Sequence, residues 1–267
     1  MFMKSIVSFD LDMTLLNPRT HHIPESAMEA ISRLRKSCYI VIATGRDMDN
    51  YFSRQFRDII RADAIIHSNG AKITIGNEVI YETYMPPKLV EAILRFAEDE
   101  DLSVGVTLED NDYFTHMEQV IERDRKIWGE LKRQYKDPWK LIDKRICTMA
   151  YVGEPAGIKK LETEFPELKC PLCDDIKGAD IVEKRNSKAK GLQFLCDYLE
   201  TDIKNAYAFG DSMNDFEVLQ VAGTGIAMGN AVSELKEIAD YVTADIEEDG
   251  IFKACRYFHV NFLKFYT

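Results

Sequence analysis

The stretch Ser5-Ile6-Val7-Ser8-Phe9-Asp10-Leu11-Asp12-Met13-Thr14-Leu15-Leu16 decides the fold of this chain. Its apolar run predicts a buried β-strand that ends at Asp10 and Asp12. Because side chains repeat with a period of two along extended chain, both carboxylates are expected on the same side of the strand end. Such a pair is repulsive unless a cation or a shared proton lies between the two groups. Taken alone, the stretch also fits a plain turn in which Asp12 is a cap and Asp10 is solvated.

Further segments repeat this pattern of a short apolar strand that stops at a polar turn. They are Tyr39–Ala43 before Thr44-Gly45-Arg46, Ala64–His67 before Ser68-Asn69-Gly70-Ala71, Ala206–Phe209 before Gly210-Asp211-Ser212-Met213-Asn214-Asp215, Gly225–Met228 before Gly229-Asn230-Ala231, and Tyr241–Thr243. Helical patterns lie between them, and this alternation predicts a parallel sheet with right-handed crossovers. Ligands of such sheets gather beyond the carboxyl ends of the strands. The polar turns are therefore expected to share one crevice.

The alternation of strands and helices stops in the middle of the chain. Residues 83–183 read as a separate α+β unit, which includes a long charged helix around Ile121–Tyr135 and no motif tied to chemistry. Before it, Lys72–Tyr81 predicts a hairpin with Gly76-Asn77 as its turn. We therefore predict one α/β domain, formed by residues 1–82 and 184–267, that is interrupted by an inserted domain.

Composition narrows the classes of function. The chain has 267 residues and a net charge of −11, so it is a poor candidate for binding nucleic acid, which requires basic surface. No apolar run reaches the ~18 residues of a membrane span, and Met1-Phe2-Met3-Lys4 lacks the apolar region of a signal peptide. We expect a cytoplasmic protein without membrane contact, and no protein partner is indicated.

The cysteines give no metal signature. Cys170-Pro-Leu-Cys173 is a lone pair of closely spaced cysteines with no second pair and no nearby histidine, which argues against a four-ligand zinc site. The six cysteines of the chain are expected to be reduced thiols.

The converging turns predict a phosphate-handling site. Oxygen ligands such as the carboxylates of Asp10, Asp12, Asp211 and Asp215 suit Mg²⁺, which relieves their repulsion and offsets the charge of an incoming phosphate. The Thr44 hydroxyl, backbone N–H groups after Asp10 and the Lys188 ammonium would hold phosphoryl oxygens. One aspartate can then act as nucleophile. The second aspartate can protonate the leaving oxygen and later deprotonate water.

These motifs resemble, in order and spacing, the four motifs of the haloacid dehalogenase (HAD) superfamily. They are Asp10-Leu11-Asp12-Met13-Thr14, Thr44-Gly45-Arg46, Lys188, and Gly210-Asp211-Ser212-Met213-Asn214-Asp215. Ser68-Asn69-Gly70-Ala71, Ala227-Met228-Gly229-Asn230-Ala231 and Asp249-Gly250-Ile251 narrow the resemblance to Cof-type sugar-phosphate phosphatases. That subfamily implies a Rossmann-like parallel-sheet core with a large inserted C2B-type cap that sets substrate specificity.

The resemblance also implies a role for each matched residue. Asp10 would be the nucleophile and Asp12 the acid/base. The phosphate would be held by Leu11, Thr44, Gly45, Lys188 and Asn214, with Asn214 bonded either to the phosphate or on the Lys188 side. Mg²⁺ would bind the carboxylates of Asp10 and Asp211 and the backbone carbonyl of Asp12, with Asp215 as a ligand or in the surrounding shell.

Some positions leave alternatives open. Met13 stands where relatives commonly have glycine, and we expect a turn that tolerates an L-residue rather than one that requires positive φ. Lys190 is a rival to Lys188 but points to another helix face. Arg46 could pair on the surface, Asn69 could serve only its turn, Asp215 could be a helix N-terminal charge, and Asn186 could line a substrate pocket. His67 is expected to be a packed strand residue, and Glu247, Glu248 and Asp249 a solvated loop.

Three functions fit these observations. The first is a Mg²⁺-dependent phosphatase that hydrolyses small phosphorylated metabolites, above all sugar phosphates, through an aspartyl phosphate. The second is a phosphotransferase or phosphomutase that passes the phosphoryl group to a sugar acceptor. The third is a non-catalytic phospho-receiver module, against which the acid/base Asp12 argues, because that residue would promote loss of the phosphate.

Overall fold

A computed structural model describes residues 4–128, 134–173 and 177–258 of the chain. By their internal packing these residues form two compact units. Unit 1 comprises Met1–Asp47, Phe56–Tyr81 and Ser187–Thr267, and unit 2 comprises Met48–Gln55 and Glu82–Asn186. Of each unit, only the residues in the ranges given above are described. The chain therefore has an α/β core interrupted by an inserted α+β segment, which is the predicted fold class. The catalytic and substrate-selecting roles of the two parts stay predictions.

The elements follow one another in three groups along the chain. The first group is β1 (Ser5–Phe9), α1 (Glu25–Leu34), β2 (Cys38–Ala43), α2 (Arg54–Ile60), β3 (Ala64–His67), β4 (Lys72–Ile75) and β5 (Glu78–Glu82). The middle group is α3 (Pro87–Asp99), β6 (Ser103–Leu108), β7 (Asn111–Phe114), α4 (Met117–Trp128), β8 (Tyr135–Lys136), β9 (Met149–Val152), α5 (Pro155–Glu164), β10 (Leu168–Lys169), β11 (Leu172–Cys173) and β12 (Gly178–Glu183). The last group is α6 (Lys188–Tyr198), β13 (Ala206–Gly210), α7 (Phe216–Val221), β14 (Thr224–Ala227), α8 (Ser233–Ile238), β15 (Tyr241–Val242) and α9 (Gly250–Tyr257).

The sheet of unit 1 has the order β15-β14-β13-β1-β2-β3-β4-β5. Its strands run parallel from β15 to β3, and β4 joins β3 antiparallel. The chain passes from β1 to β2 on one side, whereas β13, from much later in the sequence, pairs with β1 on the other side. The carboxyl end of β1 is therefore a topological switch point, where sheets of this kind bind ligands.

Burial explains why these segments form strands and helices. The central strands are buried along almost their whole length, since helices cover both faces of a parallel sheet. In α1 the residues at helical spacing, Ala27, Ala30, Ile31 and Leu34, are the buried ones. The same apolar runs that predict strands therefore also form the core.

Unit 2 contains a second, mostly antiparallel sheet with the order β10-β12-β9-β6-β7-β8. The buried side chains Val90, Ile93, Leu94 and Ala97 place one face of α3 in its core. The segment Met48–Gln55 groups with this unit because Asp110 accepts hydrogen bonds from the Tyr51 N–H at 2.8 Å and from the Arg54 guanidinium.

The prediction of a helix through Tyr135 is wrong at its C-terminal end. Helix α4 ends at Trp128, and Tyr135 begins strand β8. Residues 129–133 of that prediction lie outside the described residues. Pairing with β7 decides the conformation of Tyr135 and Lys136, and a helical periodicity holds no signal for that pairing. Among the described helices, none combines the length and the apolar content that crossing a bilayer requires.

Candidate active site

The ammonium group of Lys188 lies at the centre of a buried polar cluster in unit 1. Its side chain is 0% exposed, and its Nζ donates to Asp10 Oδ1 at 2.7 Å, to Asp215 Oδ1 at 2.7 Å and to Asn214 Oδ1 at 3.0 Å. An ammonium carries three N–H donors, so these acceptors use all of them. The rival residue Lys190 is exposed.

Local structure brings these residues together. Asp10 directly follows β1, and its N–H donates to the Phe209 carbonyl of the neighbouring strand β13 at 3.0 Å. Lys188 is the first residue of α6, whose N-terminus is capped by the Ser187 hydroxyl accepting from the Lys190 N–H. A buried lysine is stable at this position because carboxylates surround it.

Asp211 and Asp215 complete the cluster from the turn after β13. Asp215 Oδ2 accepts from the Asp211 N–H at 3.0 Å and from the Ser212 N–H at 3.2 Å, while its Oδ1 accepts from Lys188. Asp215 thus organises the turn and pairs with the lysine, and its role beside a metal ion stays a prediction. The Thr14 hydroxyl donates to Asp211 Oδ1 at 2.6 Å.

The electrostatics of the cluster favour a cation. Burial, followed by the charges of Asp215 and Asp12, raises the pKa of Asp10 to about 8 despite the nearby Lys188. Burial, and then the charges of Asp10 and Asp215, raises the pKa of Asp211 well above its ordinary value. Burial alone would lower the pKa of Lys188, but the carboxylates of Asp10 and Asp215 outweigh it and raise that pKa.

The cluster fits a metal ion in its chemistry. Asp10, Asp211 and Asp215 each offer a carboxylate oxygen, and these oxygens lie within 4.8 Å of one another. When all three are ionised, Lys188 balances only one of their charges, which leaves two negative charges for a divalent cation. An all-oxygen donor set is the kind that Mg²⁺ prefers.

The Asp12 carboxylate has a cationic partner of its own. Its two oxygens accept from the guanidinium of Arg46, with 2.7 Å between Arg46 Nε and Asp12 Oδ2. Arg46 is therefore a partner of a candidate catalytic residue, a role that the sequence left open. Its place directly after Thr44-Gly45 was the available signal.

The remaining predicted phosphate-binding residues lie at the ends of β1 and β2. Thr44 is 1% exposed, and its hydroxyl accepts from the Arg46 N–H at 3.1 Å. Gly45 joins these two residues. The carbonyl of the buried Leu11 accepts from the Leu15 N–H at 2.9 Å, which closes the loop that carries Asp12.

The expectation for Met13 is wrong. Its φ is 60°, so this position does require the left-handed region that glycine adopts most easily. The Met13 carbonyl accepts from Asn230 Nδ2 at 2.8 Å, and Asn230 Oδ1 accepts from the Ile246 N–H at 3.0 Å. Asn230 thereby links the loop of Asp12 to the segment after β15, a contact that no local pattern could reveal.

The structure also places the other residues that the sequence singled out. His67 is fully buried, with Nε2 3.0 Å from the Thr74 hydroxyl and Nδ1 3.3 Å from Asp47 Oδ1. Asn186 is buried in unit 2. The acidic residues 247–249 are exposed. Burial raises the pKa of the Cys170 thiol to about 12, as expected of an unreactive cysteine, and the side chain of Cys173 lies outside the described residues.

Comparison with known proteins identifies the family. The sequence pattern of the haloacid dehalogenase-like hydrolases matches residues 7–255. This chain belongs to that family. The Bacillus subtilis (strain 168) protein YkrA is 31% identical over 251 residues, which cover 92% of this chain and 94% of YkrA.

Two further relatives have named activities. The 5-amino-6-(5-phospho-D-ribitylamino)uracil phosphatase YitU of Bacillus subtilis (strain 168) is 26% identical over 92% of this chain and 94% of its own length. The solved structure of the HAD subclass IIB sugar phosphatase BT4131 has a TM-score of 0.83 and 30% identity, covering 96% of this chain and 100% of the other. This member of the HAD-like hydrolases is an enzyme, a phosphoric monoester hydrolase.

Proposed function

We propose that this enzyme is a Mg²⁺-dependent phosphatase that hydrolyses small phosphorylated metabolites, in particular sugar phosphates, through an aspartyl-phosphate intermediate. The observation that carries this proposal is the buried cluster of Asp10, Asp211 and Asp215 around a single ammonium. Its uncompensated negative charge calls for a divalent cation. Bound there, Mg²⁺ would keep the carboxylates ionised and neutralise charge on the phosphate.

Asp10 is the proposed nucleophile. Lys188 holds its Oδ1, so the other oxygen, Oδ2, would attack phosphorus. The bond from phosphorus to the substrate oxygen breaks as the bond to Asp10 forms. This step replaces one difficult hydrolysis by two easier displacements.

Asp12 is the proposed acid/base. It would give a proton to the leaving oxygen and then take a proton from the water that attacks the aspartyl phosphate. Attack of that water on phosphorus releases inorganic phosphate and restores the Asp10 carboxylate. Arg46, which contacts both oxygens of Asp12, would hold this carboxylate in a defined direction.

The other predicted residues would hold the phosphoryl oxygens. Thr44, the N–H groups of the Leu11 and Gly45 region and the Asn214 amide would supply hydrogen-bond donors to the phosphate. Lys188, whose three N–H groups are already used, would attract the phosphate by its charge. The inserted unit would determine which leaving group, attached to the phosphate, the enzyme accepts. The names of YitU and BT4131, a ribityl-phosphate phosphatase and a sugar phosphatase, support a phosphorylated polyol or sugar as substrate. The cytoplasmic location stays a prediction from the sequence.

The first test of this proposal is phosphate release from p-nitrophenyl phosphate. Asp10→Asn removes the nucleophile and should abolish turnover, whereas Asp58→Asn, at an exposed carboxylate, should leave it unchanged. EDTA should silence the wild type and added Mg²⁺ should restore it. Turnover that survives both Asp10→Asn and EDTA would overturn the mechanism.

A second measurement addresses the substrate class. Inorganic phosphate release would be followed across hexose phosphates, pentose phosphates and a ribityl phosphate, with free sugars present as acceptors. Phosphate in solution supports hydrolysis. Phosphate recovered on a second sugar would instead support the phosphotransferase alternative.

A further inference from the structure

The turn after β3 has an unusual backbone. Ser68, Asn69 and Gly70 all have positive φ, at 49°, 52° and 91°. Only glycine adopts this region at little cost, with asparagine next among ordinary residues. Consecutive residues in this region are strained, and such strain persists where the surrounding structure over-determines it.

Backbone contacts tie this turn to the loop that carries the predicted phosphate-binding Thr44. The Asn69 N–H donates to the Thr44 carbonyl at 3.0 Å, and the Ser68 N–H donates to the Arg46 carbonyl at 3.1 Å. The left-handed conformation therefore directs two successive N–H groups at the end of β2.

The side chain of Asn69 contacts the turn after β13, which carries Asn214. Asn69 is 2% exposed, and its Oδ1 accepts from Asn214 Nδ2 at 3.3 Å. The orientation of the Asn214 amide follows from its neighbours. Lys188 can only donate, so the amide oxygen of Asn214 faces the ammonium and its NH₂ group faces Asn69.

Gly70 supports the same arrangement from the backbone. A Cβ at Gly70 would lie 2.1 Å from the Ser187 carbonyl oxygen, so only glycine allows the turn to pack this closely on the start of α6. Ser187 is the cap of the helix whose first residue is Lys188. The turn is thus linked to Lys188 in two ways. Asn69 contacts Asn214, which contacts the Lys188 ammonium, and Gly70 packs on Ser187, which directly precedes Lys188.

We propose that Asn69 is a positioning residue for the phosphate-binding groups: it holds the Asn214 amide so that its oxygen fixes the third N–H of Lys188, while its own N–H holds Thr44. This inference rests on the proposed function, because it assigns Lys188 and Thr44 to phosphate binding. The Asn214 oxygen is the only uncharged acceptor among the three that Lys188 uses in the described structure, so it is the weakest restraint. The Ser212 hydroxyl donates to this oxygen at 2.9 Å, and Asn69 holds the other end of the same amide.

The test replaces Asn69 by glycine, which keeps the left-handed φ and removes the amide. We expect kcat/KM for p-nitrophenyl phosphate to fall roughly tenfold and inhibition by inorganic phosphate to weaken by a similar factor, as for loss of one hydrogen bond to a charged network. Asn77→Gly, the same change in the exposed hairpin turn, is the matched control and should leave both values unchanged.

A double-mutant cycle with Asn214→Ala separates positioning from general loosening of the fold. If Asn69 acts through Asn214, Asn69→Gly should add less than about twofold to the loss caused by Asn214→Ala. Wild-type activity in Asn69→Gly, or losses that simply multiply in the double variant, would overturn the inference. Either result would leave the Asp10→Asn and EDTA tests intact, so failure here is distinct from failure of the proposed function.

Discussion

At the residue scale, the departure from the common motif at Met13 has a measurable cost. Met13 stands directly after the candidate acid/base Asp12 with a φ of 60°, where an L-residue crowds its own backbone. Its carbonyl is held by Asn230, so the conformation is kept by a contact from a distant strand end. The Met13 N–H also donates to the Leu16 carbonyl at 3.0 Å, so a local and a distant contact together hold this φ.

Met13→Gly should raise the free energy of unfolding by up to about 1 kcal/mol, since glycine adopts this φ without a Cβ penalty. Met13→Ala is the control, because it shortens the side chain but keeps the Cβ. Urea unfolding of both variants measures the effect. Equal stabilisation by alanine and glycine would show that the methionine side chain, and not its φ, is responsible.

At the element scale, Arg35 connects the C-terminal end of α1 to the C-terminal end of α2. Arg35 follows α1, and its guanidinium donates to the carbonyls of Ile60 at 2.7 Å and Arg61 at 2.6 Å, at the C-terminus of α2. The last carbonyls of a helix lack partners within the helix, and a cation at this end also interacts favourably with the helix dipole. A short helix such as α2 depends on contacts of this kind.

Arg35→Met should lower the free energy of unfolding by about 1–2 kcal/mol, the usual effect of losing hydrogen bonds from a charged donor. Because the residue is not part of the proposed site, kcat/KM should stay at the wild-type value. Lys36→Met, which removes the same charge from the adjacent exposed position, should change stability by less than about 0.5 kcal/mol. Similar losses in both variants would refute a capping role for Arg35.

At the scale of the whole molecule, the carboxylate cluster links stability to pH and to metal. The pKa of Asp10 rises from 3.8 to about 8 on folding without a cation, and the pKa of Asp211 rises in the same direction. Between about pH 4 and pH 8, Asp10 and Asp211 therefore bind more protons in the folded chain than in the unfolded chain. The contribution of Asp10 and Asp211 to stability is therefore fully present below about pH 4 and is lost as pH rises towards 8.

This linkage predicts opposite pH dependences with and without metal. Considering these groups, the EDTA-treated protein should lose thermal stability as pH rises from about 5 to 8, while the stabilisation produced by Mg²⁺ should grow over the same range, because the metal binds ionised carboxylates. Differential scanning fluorimetry measures both trends. Asp211→Asn should flatten both slopes, and Asp58→Asn should leave them unaltered. A Mg²⁺ effect that is independent of pH would contradict the proposed site.

The sequence by itself determined which strand ends carry the residues of the candidate site. Periodicity and polar turns located the strands of the core and the inserted segment, because strands that are buried on both faces of a parallel sheet consist of short apolar runs. The order of the motifs around Asp10, Thr44, Lys188 and Asp211 then identified the family resemblance.

Only the tertiary structure decided how those residues contact one another. The pairing of Asp12 with Arg46, the hold of Asn230 on Met13 and the contact of Asn69 with Asn214 join segments that are 34, 217 and 145 positions apart. Local patterns do not determine such contacts, since they depend on strand order and on how closely loops pack. The sequence therefore determined the donors and acceptors of the site, and folding selected their partners by which groups it buried together.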